Sequence, residues 1–145
     1  MQIRAELQYD RGNQIGVGQG VNSEVFLADD PQLGGQFAAK EISKVSLRNN
    51  LTAYFAEAQA MFAVTHPNIV PVQYACETNT HVVLTMPYYQ NGSLESRIRR
   101  SPLNVLELIR ISQGVLRGLA AIHHGSFVHF DLKPSNILFK TSIHL

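Results

Sequence analysis

His129-Phe130-Asp131-Leu132-Lys133-Pro134-Ser135-Asn136, near the end of the 145-residue chain, sets an acid, a cation and an amide carbonyl within one short turn. Asp131 can accept a hydroxyl proton, Lys133 can neutralise charge on a transferred phosphoryl group, and Asn136 offers an oxygen to a hard cation such as magnesium. The same residue types also gather in surface turns for purely conformational reasons. The stretch therefore takes its meaning from what precedes it.

Far upstream, Ile15 to Ala28 is a glycine-rich turn running into apolar strand residues, and from Gly18 it reads Gly-x-Gly-x-x-Ser-x-Val. Glycines allow backbone amides to approach phosphate oxygens closely, although a plain hairpin with a glycine tip gives the same pattern. Ser23 stands where a third glycine is expected, and Gly16 competes for the first position. After the turn at Asp29 to Gly35, Phe37-Ala38-Ala39-Lys40-Glu41-Ile42 alternates like a half-buried strand. Asn50 to Val64 has helical spacing, with Leu51, Tyr54, Phe55, Ala58, Met61 and Phe62 on one stripe. Glu57 lies beside that stripe and needs a partner if buried, and Lys40 is the candidate.

His66-Pro67-Asn68 closes that helix. Strands are expected over Val70 to Cys76 and His81 to Met86, joined by a polar turn. Pro87 to Leu94 breaks regular structure and reads as a hinge. A short helix from about Ser93 to Arg100 follows, then a long one over Asn104 to His124. Its seam of Leu108, Ile111, Val115, Leu119 and Ile122, widened by Leu106, Ile109, Leu116 and Ala120, predicts a mostly buried helix. Gly125 is its expected stop, and Ile137-Leu138-Phe139 reads as a short strand.

The composition, 45% hydrophobic, supplies a real core, and a net charge of +1 gives no electrostatic reason to expect nucleic acid or a membrane surface as partner. The single cysteine, Cys76, cannot form an internal disulfide, which points to a reducing cytoplasm. No apolar run is long enough to span a bilayer, and no targeting segment is expected at Met1 to Leu7. His123, His124 and His129 lie close in sequence. The first two suit the negative end of a helix dipole better than a metal site.

In this order the pieces resemble the eukaryotic-type protein kinase family from Ile15 to Leu145. The resemblance implies an α+β, protein-kinase-like fold. Residues 1–89 would form an N-lobe of antiparallel sheet with one helix, ending in the hinge, and residues 90–145 a truncated helical C-lobe through the catalytic loop. It implies ATP and Mg2+ as cofactors and a protein substrate. Gly18, Gly20 and Val25 match the glycine-rich loop, and Val25 with Ala38 would sandwich the adenine. Lys40 matches the phosphate-binding lysine and Glu57 its helix partner. Met86 matches the gatekeeper and Tyr89 the hinge residue, while Val17 and Leu138 complete the implied nucleotide-binding set. Asp131 matches the catalytic base, Lys133 the γ-phosphate contact and Asn136 a magnesium ligand. Lys133 favours serine/threonine kinases over tyrosine kinases and small-molecule phosphotransferases.

Two positions depart from the family pattern. Phe130 replaces the arginine usual before the catalytic aspartate, so control by loop phosphorylation through this residue is not expected. The Asp-Phe-Gly motif is absent, and Ile143-His144-Leu145 reads as the strand leading into it. The expected function is a protein serine/threonine kinase present as an incomplete catalytic domain, inactive alone. The alternative is a non-catalytic or split-kinase fragment acting as an ATP-binding or partner-binding module, with a partner chain covering the long helix.

Overall fold

The computed structural model describes residues 7–18, 23–32, 34–47, 59 and 62–141. It divides into two compact units, Met1–Ala63 with Val70–Tyr88, and Val64–Ile69 with Tyr89–Leu145.

The first unit is built on one antiparallel sheet: β1 (Asp10–Gly18), β2 (Ser23–Asp29), β3 (Gln36–Ser43), β4 (Tyr74–Glu77) and β5 (His81–Pro87), ordered β1-β2-β3-β5-β4. A one-turn helix, α1 (Lys44–Leu47), follows β3. Side chains alternate across a strand, so the pairing register sorts them into two faces. Phe26↔Ala39, Glu24↔Glu41 and Glu41↔Val83 define the first. Here Ala28, Ala39 and Val83 are buried beneath Tyr9, Phe37 and Cys76. Val25↔Lys40, Lys40↔Leu84 and Ala38↔Met86 define the second. On it Ile42 and Val82 pack with Leu47, and Val72 and Leu84 with Met86. The inner strand β5 is thus apolar on both sides, which explains why Val82-Val83-Leu84 is an unbroken buried run.

The strand expected from Val70 begins only at Tyr74. Pro71 has no amide proton to give a ladder, and pairing starts where Gln73 N donates to Thr85 O at 2.8 Å. The helix expected over Asn50 to Val64, with Glu57, lies almost wholly outside the described residues. Of it, Gln59, Phe62 and Ala63 are described as helical.

The second unit holds α2 (Leu94–Arg100), α3 (Val105–His124) and a 3-10 turn at Pro134–Asn136. Both helices start on capping boxes, in which a side chain and a backbone amide satisfy each other's orphan groups. Ser93 and Ser96 make the first, Asn104 and Glu107 the second. Glu107 also receives Arg97 Nη2 at 2.6 Å, and Arg97 Nη1 donates to Ser101 O and Oγ at 2.9 and 2.8 Å. One ion pair, largely shielded from water, thereby ties the end of α2 to the first turn of α3. Gly125 caps α3 with an ordinary φ of −74°. The left-handed residue is instead Ser126, at φ 65°.

The segment 64–69 packs on α3 through the helix's glycines. A Cβ at Gly118 would lie 2.8 Å from Asn68 O, and one at Gly114 3.4 Å from Asn68 Nδ2. Only the absence of a side chain lets the segment come so close.

Contrary to the expectation from its apolar pattern, α3 is not mostly buried. Its buried residues are Glu107 and Gly118, while Val105, Leu106, Leu108, Ile109 and Leu116 are exposed. The helix packs along the line of Glu107, Ile111, Gly114 and Gly118, and its opposite apolar line meets no described residue that covers it. The expected strand at Ile137 to Phe139 shrinks to a single bridge, Ser93↔Leu138. It is framed by Leu94 N to Ile137 O at 2.8 Å and Phe139 N to Gly92 O at 3.0 Å. Among the described residues no helix is long and apolar enough to cross a membrane.

Candidate active site

In the first unit, the register that defines the second sheet face aligns four candidates from three different strands. Val25 of β2 stands opposite Lys40 of β3, and Ala38, two residues before Lys40, stands opposite Met86 of β5. Ala38 is buried, and Val25, Lys40 and Met86 are half-buried, giving one cation on an otherwise apolar surface. Such a surface suits a flat aromatic base beside its phosphates. Gly18 pairs with Ser23 at the mouth of the β1–β2 hairpin. The hairpin tip, with Gly20, lies outside the described residues, as does Glu57. Val17 pairs with Glu24, so its backbone position falls out of line with the Val25–Lys40 row.

The second unit holds the remaining candidates. Tyr89 O accepts from Gly92 N at 3.1 Å, closing the turn ahead of Ser93, and burial pushes the Tyr89 phenol up. Leu138 is held against Ser93 by the bridge already described. Asn91 Nδ2 adds a contact to Lys140 O at 3.4 Å. Sequence reading found the turn at Asn91-Gly92 but not its pairing with residues 137–140, because no local pattern links stretches so far apart.

Asp131, Lys133 and Asn136 come together. Lys133 has an extended backbone, Pro134 supplies the fixed φ that starts the 3-10 turn, and Asn136 N donates back to Lys133 O at 2.9 Å. The turn swings Asn136 toward Asp131, where its Nδ2 donates to Asp131 O at 2.8 Å and Oδ2 at 3.0 Å. Lys133 Nζ reaches the same Oδ2 at 2.8 Å. The Lys133 ammonium foremost, with help from Asn136, holds the Asp131 carboxyl below the usual carboxylate range. Two donors therefore occupy Oδ2, while Oδ1 takes no hydrogen bond from the described residues and its carboxylate is 63% exposed. Oδ1 is thus the carboxylate oxygen left open to a proton donor. With the Asn136 amide nitrogen committed to Asp131, its Oδ1 is left as a hard oxygen donor. Such a donor suits magnesium.

His129, ahead of this turn, carries a buried Nδ1 without a hydrogen-bond partner among the described residues. Phe130, in the place of the arginine, is 92% exposed. No cationic side chain stands at that position.

Comparison with known proteins gives one consistent picture. The family model described as protein kinase domain matches residues 9–145. Calcium-dependent protein kinase 4 of Plasmodium berghei is 32% identical over 128 residues, which are 86% of this chain and 24% of that protein. Rat calcium/calmodulin-dependent protein kinase type 1B is 32% identical over 126 residues, 86% of this chain and 37% of its own. The leucine-rich repeat receptor protein kinase MSL1 of rice is 35% identical over 130 residues, 84% of this chain and 9% of its own. Among solved structures, Rad53 residues 1–466 in complex with AMP-PNP superposes with a TM-score of 0.81 at 26% identity, covering 92% of this chain and 35% of that one. The chain thus spans about a quarter of the length of the calcium-dependent kinase it matches.

Proposed function

The chain belongs to the protein kinase family, and from that premise we propose that it carries part of the machinery for transferring the γ-phosphoryl group of ATP to a serine or threonine hydroxyl of a protein substrate. The observation that carries this reading is the triad of Asp131, Lys133 and Asn136 around one carboxylate oxygen. Asp131 accepts the substrate hydroxyl's proton on Oδ1. Lys133 keeps that carboxylate ionised and, when phosphate arrives, offers its ammonium to the transferred group. Magnesium, when bound, neutralises phosphate charge, and Asn136 Oδ1 is the side-chain oxygen of this turn that would hold it. On the sheet, Val25, Ala38 and Met86 take the adenine and Lys40 the phosphates, with Gly18 and Gly20 covering them. By the family resemblance Glu57 would steady Lys40, and Val17, Tyr89 and Leu138 complete the set assigned to the nucleotide. Residues 1–89 act as the N-lobe with hinge and 90–145 as part of the C-lobe. Serine/threonine preference rests on Lys133, and a cytoplasmic location rests on the lone Cys76.

The test is phosphoryl transfer from labelled ATP by the full-length protein, with Asp131→Asn beside the wild type. Loss of the base should lower the rate by about 10²–10⁴-fold. Equal rates would overturn the assignment of Asp131.

A second reading is favoured by the exposed apolar line of α3. Val105, Ile109 and Leu116 lie on one side of it, with 74%, 47% and 64% exposure. Here residues 1–145 form a nucleotide- or partner-binding module completed by a further chain. Analytical ultracentrifugation decides: a stable, folded monomer that phosphorylates a peptide unaided would remove this reading.

A further inference from the structure

β3 carries Lys40 on one sheet face and Glu41 on the other. Glu41 is no ordinary surface carboxylate, because its side chain is 12% exposed and two side chains converge on it. The Tyr9 hydroxyl donates to Glu41 Oε1 at 2.9 Å, and Arg11 Nε lies 3.6 Å from the same oxygen. Arg11 Nη2 also reaches Glu24 at 3.7 Å, and the guanidinium stacks 3.6 Å from the centre of the Phe26 ring. The Tyr9 ring meets Phe37 edge-on at 5.6 Å.

Two features show what this cluster holds. Glu24 and Glu41 are direct cross-strand partners, a like-charge pairing that opposes the β2–β3 register unless a cation sits over it. Arg11 is that cation. The β1–β2 ladder also shifts register twice, between Arg11 and Gln14 and between Gln14 and Gly16. The ladder is therefore interrupted between Arg11 and the regular pairs that Gly16, Val17 and Gly18 make with β2. Tyr9 and Arg11 stand immediately before the irregular stretch and grip β3, two strands away, across the top of β2. Burial first, and the neighbouring Glu41 carboxylate second, push the Tyr9 phenol up, so its hydroxyl remains a donor throughout the neutral range.

We propose that Glu41 is a positioning residue for nucleotide binding: through Tyr9 and Arg11 it latches the start of β1 to β3, and so sets the backbone of Gly16–Gly18 relative to Lys40 on the opposite face. It touches no nucleotide itself. The proposal rests on the nucleotide reading of the Val25–Lys40 face, and its two readouts separate the two ideas.

The first readout needs no ligand. Hydrogen exchange is compared in wild type, Tyr9→Phe, Glu41→Gln and the double variant, and the amides of Gln14–Gly18 should exchange about tenfold faster in each variant while those of β3 and β5 keep their protection. Unchanged exchange over Gln14–Gly18 overturns the latch. The second readout is the dissociation constant of a fluorescent ATP analogue with magnesium. Each single variant should bind about fivefold more weakly, and the double variant no worse than the weaker single, as expected for residues acting through one contact. Val82→Ala, a cavity in the Ile42–Leu47–Val82 cluster, which contains none of Tyr9, Arg11 and Glu41, should lower the melting temperature and leave the dissociation constant unchanged. If Val82→Ala weakens binding as much as Glu41→Gln, the role is general stability and the proposal fails. A wild type that binds no analogue overturns the nucleotide reading, and the latch then stands or falls on exchange alone.

Discussion

Replacing Glu107 by leucine should destabilise the second unit more than any exposed ion-pair deletion, and replacing Arg97 by methionine at the same time should restore much of the loss. Their nitrogen and oxygen lie 2.6 Å apart, with side chains only 18% and 12% exposed. At an effective dielectric constant of about 20, two unit charges at that separation attract by about 6 kcal/mol. Most of that attraction offsets the cost of removing both ions from water. Deleting one partner leaves that cost without its compensation, and buried pairs broken in this way lose about 3–5 kcal/mol. Some water still reaches this pair, so each single variant should lose about 2–4 kcal/mol. The double variant has neither charge to desolvate. It still loses two things: the Glu107 bond to Asn104 N at 2.9 Å and the Arg97 bonds to Ser101. A residual loss of about 1–2 kcal/mol is therefore expected. Urea unfolding followed by far-UV circular dichroism, in which the 20-residue α3 is the largest helical contributor among the described residues, measures all four corners of the cycle. Single losses that simply add, with coupling under about 0.5 kcal/mol, would refute the argument, because that is how a solvated surface pair behaves.

Gly118→Ala would force a methyl to 2.8 Å from Asn68 O and should cost about 1–3 kcal/mol in the same unfolding assay, despite alanine's better helix propensity. Ser126→Gly should gain about 0.5–1 kcal/mol, since Ser126 sits at φ 65°, and a loss would show that its side chain makes a contact worth more than the backbone strain. Lys133→Met should raise the Asp131 pKa toward its ordinary value, as read by carboxyl carbon NMR. The sign follows from the lowered value. The folded state favours the ionised carboxyl, a preference present above the unfolded pKa and lost as pH falls through the folded one, and without Lys133 that loss should begin at higher pH. An unmoved titration would show that Lys133 does not govern Asp131.

Much of this was legible in the sequence because it is local. Alternation in Phe37 to Ile42 placed Ala38 and Lys40 on one face, and the observed register extends that face to Val25 and Met86. Asp131, Lys133 and Asn136 are close enough in sequence for one turn to join them. Two other features depend on distant partners. The apolar spacing of α3 indicates that the helix has something to bury without indicating what covers it, so exposure of Leu106, Leu108 and Leu116 is invisible in the pattern. Tyr9 and Glu41 are 32 positions apart, and nothing in the residues around either announces the bond between them. The late start of β4 could have been read from Pro71, whose missing amide proton weighs more than the apolar run around it.

The docking of residues 64–69 on α3 gives the chain an interleaved connectivity. The backbone leaves the first unit after Ala63, returns after Ile69, and leaves again after Tyr88. Three covalent crossings join the units where a simple tandem arrangement has one. A single proteolytic nick after Tyr88 would therefore leave the halves attached through the 64–69 loop. No one cut divides the chain into two pieces that each contain a whole unit. Dissection by truncation at Tyr88 would strip from α3 the segment 64–69, whose Asn68 its glycines accommodate. Residues 89–145 alone are thus a poor stand-in for the second unit, and adding residues 64–69 as a peptide is the natural complement.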